Sequence, residues 1–491
     1  MKKLKDLIAE IDYSLIAGTI AEQEISELVY DSRKISKDCL FVCIEGANFD
    51  GHTAAKDAFE KGAAAVIVEK NIDSSESGDT AVIKVESTRY ALAFTSAAWF
   101  GNPADEMKII GITGTKGKTT TSFLTKAILE AAGHKVGLIG TIETIIGDEH
   151  IPAKNTTPES YILQETFRKM ADEGCDSVVM EVSSQALMMH RSQGFIFDYG
   201  VFTNIEPDHI GPGEHKDFED YLHCKGLLFK QCKVGIVNGD DPHVEELLKG
   251  HSCEVQTFGR GEKNDLRVSG EELVKIPGEL GVKFKMHGIK EMEAEVGTPG
   301  EFSVYNALCA AAVCLNFGVS DDAIKNALKN ARVKGRIESV KVSDKFSLLI
   351  DYAHNAMALE SLLTSLRKYE PKRLVSVFGC GGNRSKLRRF EMGEVSGKYA
   401  DFTIITSDNP RFEEPEAIMD DIETGIKKTD GKYIRISDRK EAIRYAIENG
   451  QEGDLIILAG KGHEDYQEIK GVKYPMDERV LIAEVLEELK K

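Results

Sequence analysis

The feature that most constrains the fold is a glycine-rich turn that directly follows a short apolar strand. The strand covers residues 109–112, and the turn is the run Gly114-Thr115-Lys116-Gly117-Lys118-Thr119-Thr120. A strand that turns on glycines into a helix leaves several backbone N–H groups aimed at one point, with the positive end of the helix dipole behind them. Apolar residues recur at helical spacing over residues 123–131, which predicts that helix, and Gly133 is suited to end it. The pattern therefore predicts a phosphate-binding loop in an α/β fold.

Two side chains of this loop have the chemistry of a nucleotide site. Lys118 can reach the β- and γ-phosphates, and the Thr119 hydroxyl is placed to hold Mg²⁺. The usual pattern has a glycine five residues before the Gly-Lys pair, where this chain has Ile112, so the loop is a variant. A glycine turn with a solvated lysine is the alternative. The strand before the loop and the amphipathic helix after it favour the nucleotide site.

Composition limits the classes of function. A chain of 491 residues corresponds to about three domains of roughly 150 residues each. The formal charge of -19 argues against non-specific binding to nucleic acid or to anionic membranes. The nine cysteines are odd in number and form no Cys-x-x-Cys pair, which predicts buried thiols in a reducing compartment. Residues 1–16 have no apolar stretch as long as a signal peptide, and nothing approaches a membrane span. We therefore expect a soluble, cytoplasmic protein without membrane insertion, acting as a monomer.

The strand and helix signals divide the chain into three regions. We predict an α/β region at 1–103, a central α/β region around the phosphate loop at 104–333, and a C-terminal region at 334–491. The run Gly101-Asn102-Pro103 breaks the chain just before the phosphate-loop strand. Residues 262–296 look more β-rich, which predicts a small antiparallel insertion.

Four apolar strands of the C-terminal region each end in a polar, charged loop. The strands are residues 346–350, 373–378, 401–406 and 454–458, and the loops are residues 351–354, 379–384, 407–411 and 459–464. Parallel sheets bind ligands outside the carboxyl ends of their strands. One polar loop would be ordinary in any α/β protein, but four charged loops in succession predict one composite site.

Three polar residues of the central region could complete a nucleotide site. Glu181 closes an apolar strand, where a second oxygen ligand for Mg²⁺ would stand. His209 follows another strand and could bind metal or phosphate. Asn306 opens a helix of small residues and could hydrogen-bond an adenine edge. Each residue alone also has an ordinary structural explanation.

Together these motifs resemble the Mur ligase family, the ATP-dependent enzymes that form amide bonds in peptidoglycan precursor synthesis. The resemblance covers essentially the whole chain and includes the variant spacing of the phosphate loop. It implies an α/β fold of three domains, with a central P-loop ATPase-like parallel sheet and a C-terminal Rossmann-like domain. The motifs occur in the family's order, as residues 114–119, Glu181-Val182-Ser183-Ser184, Asn204 with His209, Asn306, Gly335-Arg336, and Asp351-Tyr352-Ala353-His354.

Within the family, the chain is most similar to the members that add the third amino acid to UDP-MurNAc-L-Ala-D-Glu. The resemblance implies contacts to the UDP-sugar from residues 47–49 and from Tyr30, Ser32, Asn155, Thr156, Thr157, Ser183 and Arg191. One departure is Met189, where the family pattern often has glutamine, so that contact is absent or replaced. Gly114 to Thr120, Asn306, Arg336 and Asp351 are the implied ATP contacts.

The resemblance also implies the residues that handle the amino acid and the chemistry. The amino-acid contacts are Arg389, Asp408, Asn409, Pro410, Arg411, Gly460 and Glu464. Lys225 occupies the position of a carbamylated lysine, which with Thr119, Glu181 and His209 would hold Mg²⁺. Carbamylation requires the neutral amine, so burial must lower the pKa of this lysine. Lys118, Lys225, His209 and His354 are the implied catalytic residues.

The implied reaction activates a carboxylate with ATP. ATP phosphorylates the D-glutamyl γ-carboxylate, and the amine of the third amino acid then attacks the acyl phosphate. Because the substrates bind different domains, we expect domain closure.

The amino acid is inferred from Asp408-Asn409-Pro410-Arg411, which resembles the form that goes with meso-diaminopimelate. A guanidinium group suits the distal carboxylate of that ligand. Asn355 and residues 204–213 resemble lysine-adding relatives instead, so L-lysine is the alternative amino acid. Folylpolyglutamate synthase, which shares the architecture and the chemistry, and a P-loop NTPase switch or motor are two rival functions for a chain with this loop.

Overall fold

The chain folds as a mixed α/β protein whose strands and helices fall into two units, Met1–Asn264 and Asp265–Lys491. The computed structural model describes residues 1–46, 48–211, 213–276 and 278–490. Ala47 and Pro212, which belong to two segments named above, lie outside the described residues.

The first unit begins with a region of seven strands that carries the predicted N-terminal α/β pattern. Its strands are β1 (Lys2–Lys3), β2 (Ser14–Ala17), β3 (Glu24–Ile25), β4 (Glu27–Val29), β5 (Cys39–Val42), β6 (Ala65–Val68) and β7 (Ala81–Lys84). Its helices are α1 (Leu4–Leu7), α2 (Ala55–Glu60) and α3 (Thr88–Phe100). The strand order is β2-β7-β6-β5-β4, with β4 to β7 parallel and β2 antiparallel, and β1 pairs separately with β3. Strands β5 and β6 are buried along their whole length, as apolar runs in a parallel sheet require.

A second sheet of the first unit carries the phosphate loop. Its strands are β8 (Lys108–Thr113), β9 (Val136–Ile139), β10 (Glu143–Ile146), β11 (Glu149–Pro152), β12 (Ser177–Glu181), β13 (Phe197–Phe202), β14 (Cys232–Asn238) and β15 (Glu254–Gly259). Its helices are α4 (Lys118–Ala131), α5 (Ser160–Asp172), α6 (Ser184–Met188), α7 (Phe218–Gly226) and α8 (Val244–Leu247). The order is β11-β10-β9-β12-β8-β13-β14-β15, and β8 is parallel to β12 and β13 on either side. The carboxyl ends of these three strands therefore meet at one edge, which is where a parallel sheet binds ligands.

The second unit begins with the predicted antiparallel strands. Strands β16 (Leu266–Ile276), β17 (Glu279–Gly288) and β18 (Met292–Val296) pair in sequence, and helices α9 (Glu301–Leu315) and α10 (Asp321–Asn330) follow. Eleven residues of α9 are buried, in agreement with its run of small and apolar side chains.

The rest of the second unit is a doubly wound sheet. Its strands are β19 (Glu338–Val340), β20 (Ser347–Asp351), β21 (Arg373–Phe378), β22 (Phe402–Ile405), β23 (Tyr433–Arg435), β24 (Asp454–Ala459), β25 (Tyr466–Ile469) and β26 (Val472–Pro475). Its helices are α11 (Ala356–Arg367), α12 (Lys386–Tyr399), α13 (Pro415–Ile426), α14 (Arg439–Glu448) and α15 (Glu478–Glu488). The order is β19-β20-β24-β21-β22-β23, in which only β19 is antiparallel to its neighbour, and β25 and β26 form a separate hairpin. This order places the loops after β20, β21, β22 and β24 at one edge of the sheet.

Two sequence predictions about burial and membranes can be compared with this fold. All nine cysteines are buried, as predicted. In the described part of the chain, no helix combines the length and apolar character needed to cross a membrane.

Candidate active site

The phosphate loop joins β8 to α4 through two glycines with positive φ. Gly114 has φ 148° and Gly117 has φ 85°. A Cβ on Gly114 would lie 2.0 Å from the hydroxyl oxygen of Thr203, so no other residue fits there without a shift. The Asn204 side chain clamps the loop, since it accepts from the Lys116 N–H at 2.9 Å and donates to the Lys116 carbonyl at 3.0 Å. The loop conformation is thus fixed by the strand beside it.

The two side chains expected to handle phosphate lie at the start of α4. The Lys118 ammonium group donates to the carbonyl oxygens of Gly114 (2.8 Å) and Thr115 (3.1 Å). The Thr119 hydroxyl donates to Glu181 at 3.0 Å, and Glu181 is fully buried at the end of β12. Thr141 also donates to this carboxylate, from its N–H and its hydroxyl, at 2.9 Å each. A hydroxyl and a carboxylate held together fit Mg²⁺, which prefers oxygen ligands.

Lys225, on α7, is buried directly beneath the phosphate loop. Its Nζ lies 3.0 Å from the carbonyl oxygen of Gly114, the same oxygen that accepts from Lys118. Only 2% of the residue is exposed, and its Nζ stands 4.4 Å from the centre of the Tyr221 ring. Burial, and secondarily the charge of Lys118, lower the pKa of Lys225 well below its ordinary value. The burial of Lys225 and the direction of its pKa shift are those that carbamylation would require.

His209 lies on an exposed loop near Tyr221. Its φ is 54°, and its Nδ1 is 3.2 Å from a carboxylate oxygen of Glu214. The ring centres of His209 and Tyr221 are 6.1 Å apart. The structure therefore brings His209 and Lys225 to the same tyrosine, whereas Thr119 and Glu181 form their own pair.

The residues expected to bind the muramoyl substrate are continuous with the Glu181 cluster. The Thr157 hydroxyl donates to the carbonyl of Glu181 at 2.9 Å and accepts from the N–H of Ser183 at 3.0 Å. The hydroxyls of Thr156 and Thr141 are 3.0 Å apart. Asn155 directly precedes Thr156 in the same loop.

Arg191 joins the same network through Thr157. It donates to the Thr157 carbonyl at 3.4 Å and lies 3.5 Å from a carboxylate oxygen of Glu159. Met189, at the position where the family pattern often has glutamine, has its sulfur 3.6 Å from an Arg191 nitrogen. The departure is thus accommodated by a weak sulfur contact to the arginine.

The residues expected to contact uridine lie at the end of β4. Tyr30 packs on Tyr161, with ring centres 5.5 Å apart. Ser32 begins a short 3-10 turn, which Asp31 caps by accepting from the Arg33 N–H at 3.0 Å.

In the second unit, the expected ATP residues gather around the end of β20. Asp351 accepts from the N–H groups of Ile337 (2.9 Å) and Ala353 (2.8 Å), and burial raises its pKa. The guanidinium carbon of Arg336 stands 4.8 Å from the centre of the Tyr352 ring. The Nδ1 atom of His354 lies 2.9 Å from the Tyr352 carbonyl oxygen. Asn306 is buried within α9 rather than at its first turn.

The four charged loops of the second unit line one cavity of about 260 Å³, as the strand ends predict. Its charged lining consists of two carboxylates and three guanidinium groups, with His354 beside them. These residues are Asp408, Glu464, Arg384, Arg388 and Arg411. A lining that carries charges of both signs suits a small zwitterion.

Arg411 is the predicted partner of the distal carboxylate of the ligand. It has φ 52°, its Nε lies 3.1 Å from Glu468, and its Nη1 donates to the Gly382 carbonyl at 2.8 Å. These contacts hold the guanidinium plane at the cavity wall. Beside it, a Cβ on Gly460 would lie 3.0 Å from an Asp408 carboxylate oxygen, so glycine keeps that approach open.

Glu464 and Asn409 are bound to each other and to a lysine that the sequence motifs do not single out. The Asn409 amide donates to Glu464 at 2.9 Å, and the fully buried Lys461 donates to Glu464 at 2.6 Å. A lysine in a glycine-rich loop gives no sequence signal of burial, so its role emerges only from the structure.

Arg389, which the resemblance implies as an amino-acid contact, does not line the cavity and is bound to two carboxylates of the protein instead. It is 1% exposed and pairs with Glu413 (2.7 Å) and Asp421 (2.9 Å). Arg384 and Arg388, which are not among the residues predicted to bind the amino acid, line the cavity instead. Arg384 belongs to a predicted loop, so its position was a usable signal.

Three family models match the chain in succession. They are the Mur ligase family catalytic domain over residues 24–99, the Mur ligase middle domain over 112–314, and the Mur ligase glutamate ligase domain over 335–462. The family and the fold predicted from the sequence are confirmed.

Relatives resemble the chain over its whole length. The UDP-N-acetylmuramoyl-L-alanyl-D-glutamate–2,6-diaminopimelate ligase 1 of Clostridium acetobutylicum is 42% identical over 490 residues, covering 99% of this chain and 100% of that protein. The ligase of the same name from Caldanaerobacter subterraneus subsp. tengcongensis is 44% identical over 491 residues, covering 100% of both. A solved structure of a UDP-N-acetylmuramoyl-L-alanyl-D-glutamate–2,6-diaminopimelate ligase aligns with a TM-score of 0.75 and 27% identity, covering 100% of both chains.

Proposed function

Because the chain belongs to the Mur ligase family, we propose that it joins meso-diaminopimelate to UDP-N-acetylmuramoyl-L-alanyl-D-glutamate in an ATP-dependent reaction. Relatives that align over their full length carry the name of this activity. The reaction is the third amino-acid addition of peptidoglycan precursor synthesis, and so it serves cell-wall biogenesis, cell shape and division.

The chemistry follows from the poor reactivity of a carboxylate toward an amine. The γ-phosphoryl group of ATP passes to the γ-carboxylate of the D-glutamyl residue, which gives ADP and an acyl phosphate. The amine of the incoming amino acid attacks the acyl carbon, the amide bond forms, and inorganic phosphate leaves with the release of a proton. Lys118 and the loop N–H groups stabilise the charge that develops on the phosphoryl oxygens.

Thr119 and Glu181 would hold a magnesium ion, which supplies further neutralisation of phosphate charge when bound. His354 and Arg336 are suited to steady the γ-phosphate. Thr156, Thr157, Ser183 and Arg191 would orient the muramoyl peptide, because their network is continuous with Glu181.

We assign Lys225 as a carbamylated residue in the active enzyme. Carbamylation joins the neutral amine to CO₂ with loss of one proton, and a lowered pKa supplies that neutral amine. In the unmodified state the amine of Lys225 and the ammonium group of Lys118 share the Gly114 carbonyl oxygen. The carbamate would place a negative charge beside Lys118 and present oxygen atoms that, with His209, suit a second magnesium ion.

The observation that carries the choice of amino acid is the charged lining of the cavity in the second unit. Asp408 and Glu464 suit ammonium groups, and Arg384, Arg388 and Arg411 suit carboxylates. meso-Diaminopimelate has two carboxylates, whereas L-lysine has one. A cavity with three guanidinium groups therefore favours meso-diaminopimelate.

Two rival functions of different class make distinct predictions. A folylpolyglutamate synthase would require a folate in place of the UDP-sugar, and would leave the network around Thr157 and Arg191 without a ligand. A P-loop NTPase switch or motor would hydrolyse ATP without an acceptor amino acid. Neither explains the charged cavity together with the muramoyl loop.

The location and assembly state belong to the same proposal. An ATP-dependent reaction on a nucleotide-linked precursor suits the cytoplasm, and we take the acting form to be a monomer that binds neither nucleic acid nor membrane. Size-exclusion chromatography with light scattering tests the assembly state.

The decisive experiment measures phosphate release by the purified protein with ATP, Mg²⁺ and UDP-N-acetylmuramoyl-L-alanyl-D-glutamate. Each reaction receives meso-diaminopimelate, L-lysine or no amino acid. We expect release that depends on both the UDP-sugar and meso-diaminopimelate, with a tripeptide product in the mass spectrum. Faster release with L-lysine, or release that needs no amino acid, would overturn the proposal.

A further inference from the structure

Lys461 is a fully buried lysine that lies behind the lining of the amino-acid cavity, bound to the lining residues Asn409 and Glu464 and outside the contacts named above for the ligand. It follows Gly460 in the loop after β24 and is 0% exposed. Buried lysines are uncommon because an unpaired ammonium ion is costly to remove from water. Its position therefore needs compensating contacts.

The ammonium group of Lys461 has three donors and meets three acceptors. It donates to Asn409 Oδ1 at 3.0 Å, to Glu464 Oε2 at 2.6 Å, and to the Tyr466 carbonyl oxygen at 2.5 Å. The three contacts use the full donor capacity of the side chain. Lys461 thus joins two cavity loops to the hairpin formed by β25 and β26.

The same contacts fix the two residues that would meet the ligand. Asn409 donates to Glu464 Oε2 at 2.9 Å, so both Asn409 and Lys461 bind one oxygen of this carboxylate. Neither of these contacts uses Oε1. The carboxylate is thereby held in one orientation, with its other oxygen available to an ammonium group of the ligand.

Lys461 also changes the charge balance of the cavity. Asp408 and Glu464 are the carboxylates of the lining, and the ammonium ion of Lys461 offsets one of them from behind the wall. Because Glu468 likewise offsets Arg411, the guanidinium groups of Arg384 and Arg388 then outweigh the remaining carboxylate of Asp408 in the field that the ligand meets. A field of that sign favours a diamino acid with two carboxylates over one with a single carboxylate.

We propose that Lys461 is a positioning residue that sets the amino-acid specificity of the cavity. It holds Glu464 and Asn409 in place and offsets the charge of Glu464, so that the cavity selects a diamino dicarboxylic acid against a diamino monocarboxylic acid. This inference rests on the proposed ligase function.

The test compares the wild type with Lys461→Met, Glu464→Gln and the double variant. The readouts are the KM for each of the three substrates, kcat, and the inhibition constant of L-lysine as a competitor of meso-diaminopimelate. Lys473→Met is the matched control, because Lys473 is exposed and its Nζ lies 3.9 Å from the ring centre of Tyr466, while the Nζ of Lys461 lies 5.0 Å from the same centre.

In Lys461→Met we expect the KM for meso-diaminopimelate to rise about tenfold or more, since a charged hydrogen-bond network in the cavity is lost. The inhibition constant of L-lysine should stay level or fall. The KM for ATP and for the UDP-sugar, and kcat, should change far less. The control should behave as the wild type does.

The double variant removes both charges of the pair, so we expect its preference between the two amino acids to return toward that of the wild type. Glu464→Gln alone leaves the ammonium ion uncompensated and should weaken L-lysine further. If Lys461→Met does not fold, the comparison of Glu464→Gln with the double variant decides, because equal L-lysine inhibition in those two would overturn the proposal.

A variant Lys461→Met that changes all KM values together, or lowers the melting temperature without changing the amino-acid preference, would also overturn it. A wild type that does not consume meso-diaminopimelate would refute the proposed function itself. That result is distinct from an unaltered preference in an active enzyme.

Discussion

The phosphate-loop centre of the first unit and the amino-acid cavity of the second unit are built in different ways. The phosphate loop is made mainly of backbone groups from one short run, held by the clamp from Asn204. The amino-acid cavity is made of side chains from four loops, whose charges are already cross-linked by Lys461, Glu464 and Glu468. A site built from backbone leaves a contiguous sequence motif, whereas a site built from ion pairs leaves scattered charges.

The difference also affects how strongly a single substitution in each region should change the activity. In the phosphate-loop centre, the side chains of Lys118 and Lys225 converge on one carbonyl oxygen. In the cavity, Arg411 and Glu464 each have a partner within the protein that remains when the group is removed. We therefore expect large effects from single changes in the first region and smaller, more selective effects in the second.

The largest effect should come from Lys118→Ala. This change removes the ammonium group that stabilises the transferring phosphoryl group, while the loop is held by Asn204 and the buried strands. We expect turnover to fall by roughly 10³-fold or more with an unchanged melting temperature. A phosphate-release assay measures the turnover, and thermal unfolding measures the melting temperature.

Lys135→Ala is the control, because this lysine is exposed and pairs with Glu173. Near-normal turnover by Lys118→Ala would mean that the ATP site lies elsewhere.

Lys225→Ala should be nearly as damaging, by about 10²-fold in kcat, because it removes the carbamate that the proposal assigns to this residue. Short carboxylates such as acetate or formate should restore part of the activity. Intact-protein mass spectrometry of the bicarbonate-treated enzyme should show the added carboxyl group, and Lys225→Ala should lack it. An active, bicarbonate-exposed wild type that carries only the ammonium form would argue against the assignment.

Arg411→Ala should have a smaller and substrate-specific effect. Arg411 is partly exposed and is paired with Glu468, so its loss removes a charge-assisted contact to the ligand rather than a fully buried pair. Such a contact contributes about 1.5–3 kcal/mol, which raises the KM for meso-diaminopimelate roughly 10- to 150-fold. The KM for ATP and for the UDP-sugar should be nearly unchanged, and weak use of L-lysine should appear.

Glu414→Ala is a control for general loop effects, since Glu414 is close in sequence but does not line this cavity. A wild type that already prefers L-lysine would show that Arg411 serves another purpose.

The contrast between the two regions also explains what the sequence could predict. The strand, glycine turn and helix around Lys118 are local signals, and the structure places β8 and α4 where they indicate. The four loops of the second unit were predictable because parallel strands end at one edge, and they do line one cavity. The sequence did not indicate which charged side chains form ion pairs with each other in the folded chain. Glu413 and Asp421, the partners of Arg389, are distant from it in sequence, and each looks like an ordinary surface acid.

The smallest effect expected is on stability, and it comes from His463 in the same loop as Lys461. The ring packs on Tyr352 with centres 4.7 Å apart, and its Nδ1 has no hydrogen-bond partner among the described residues. Burial, with the nearby charges of Arg336 and Lys334, lowers the pKa of His463 to about 4. The folded state therefore binds this proton less readily than the unfolded state, whose histidine has a pKa of about 6.5. The contribution of His463 to the free energy of unfolding is therefore fully present at pH values above the pKa of the unfolded state. It is lost as the pH falls from about 6.5 toward 4.

Replacement of His463 by phenylalanine should remove that pH dependence, because the ring contact with Tyr352 remains while the titrating nitrogen is lost. Between pH 7 and pH 5 we expect the wild type to lose about 1–2 kcal/mol more unfolding free energy than His463→Phe does. Thermal or denaturant unfolding at both pH values measures this, with the exposed His150→Phe as the control. If His463→Phe and the wild type lose stability equally, the partly buried ring of His463 is not the titrating group, and the acid sensitivity of the second unit lies in its ion pairs instead.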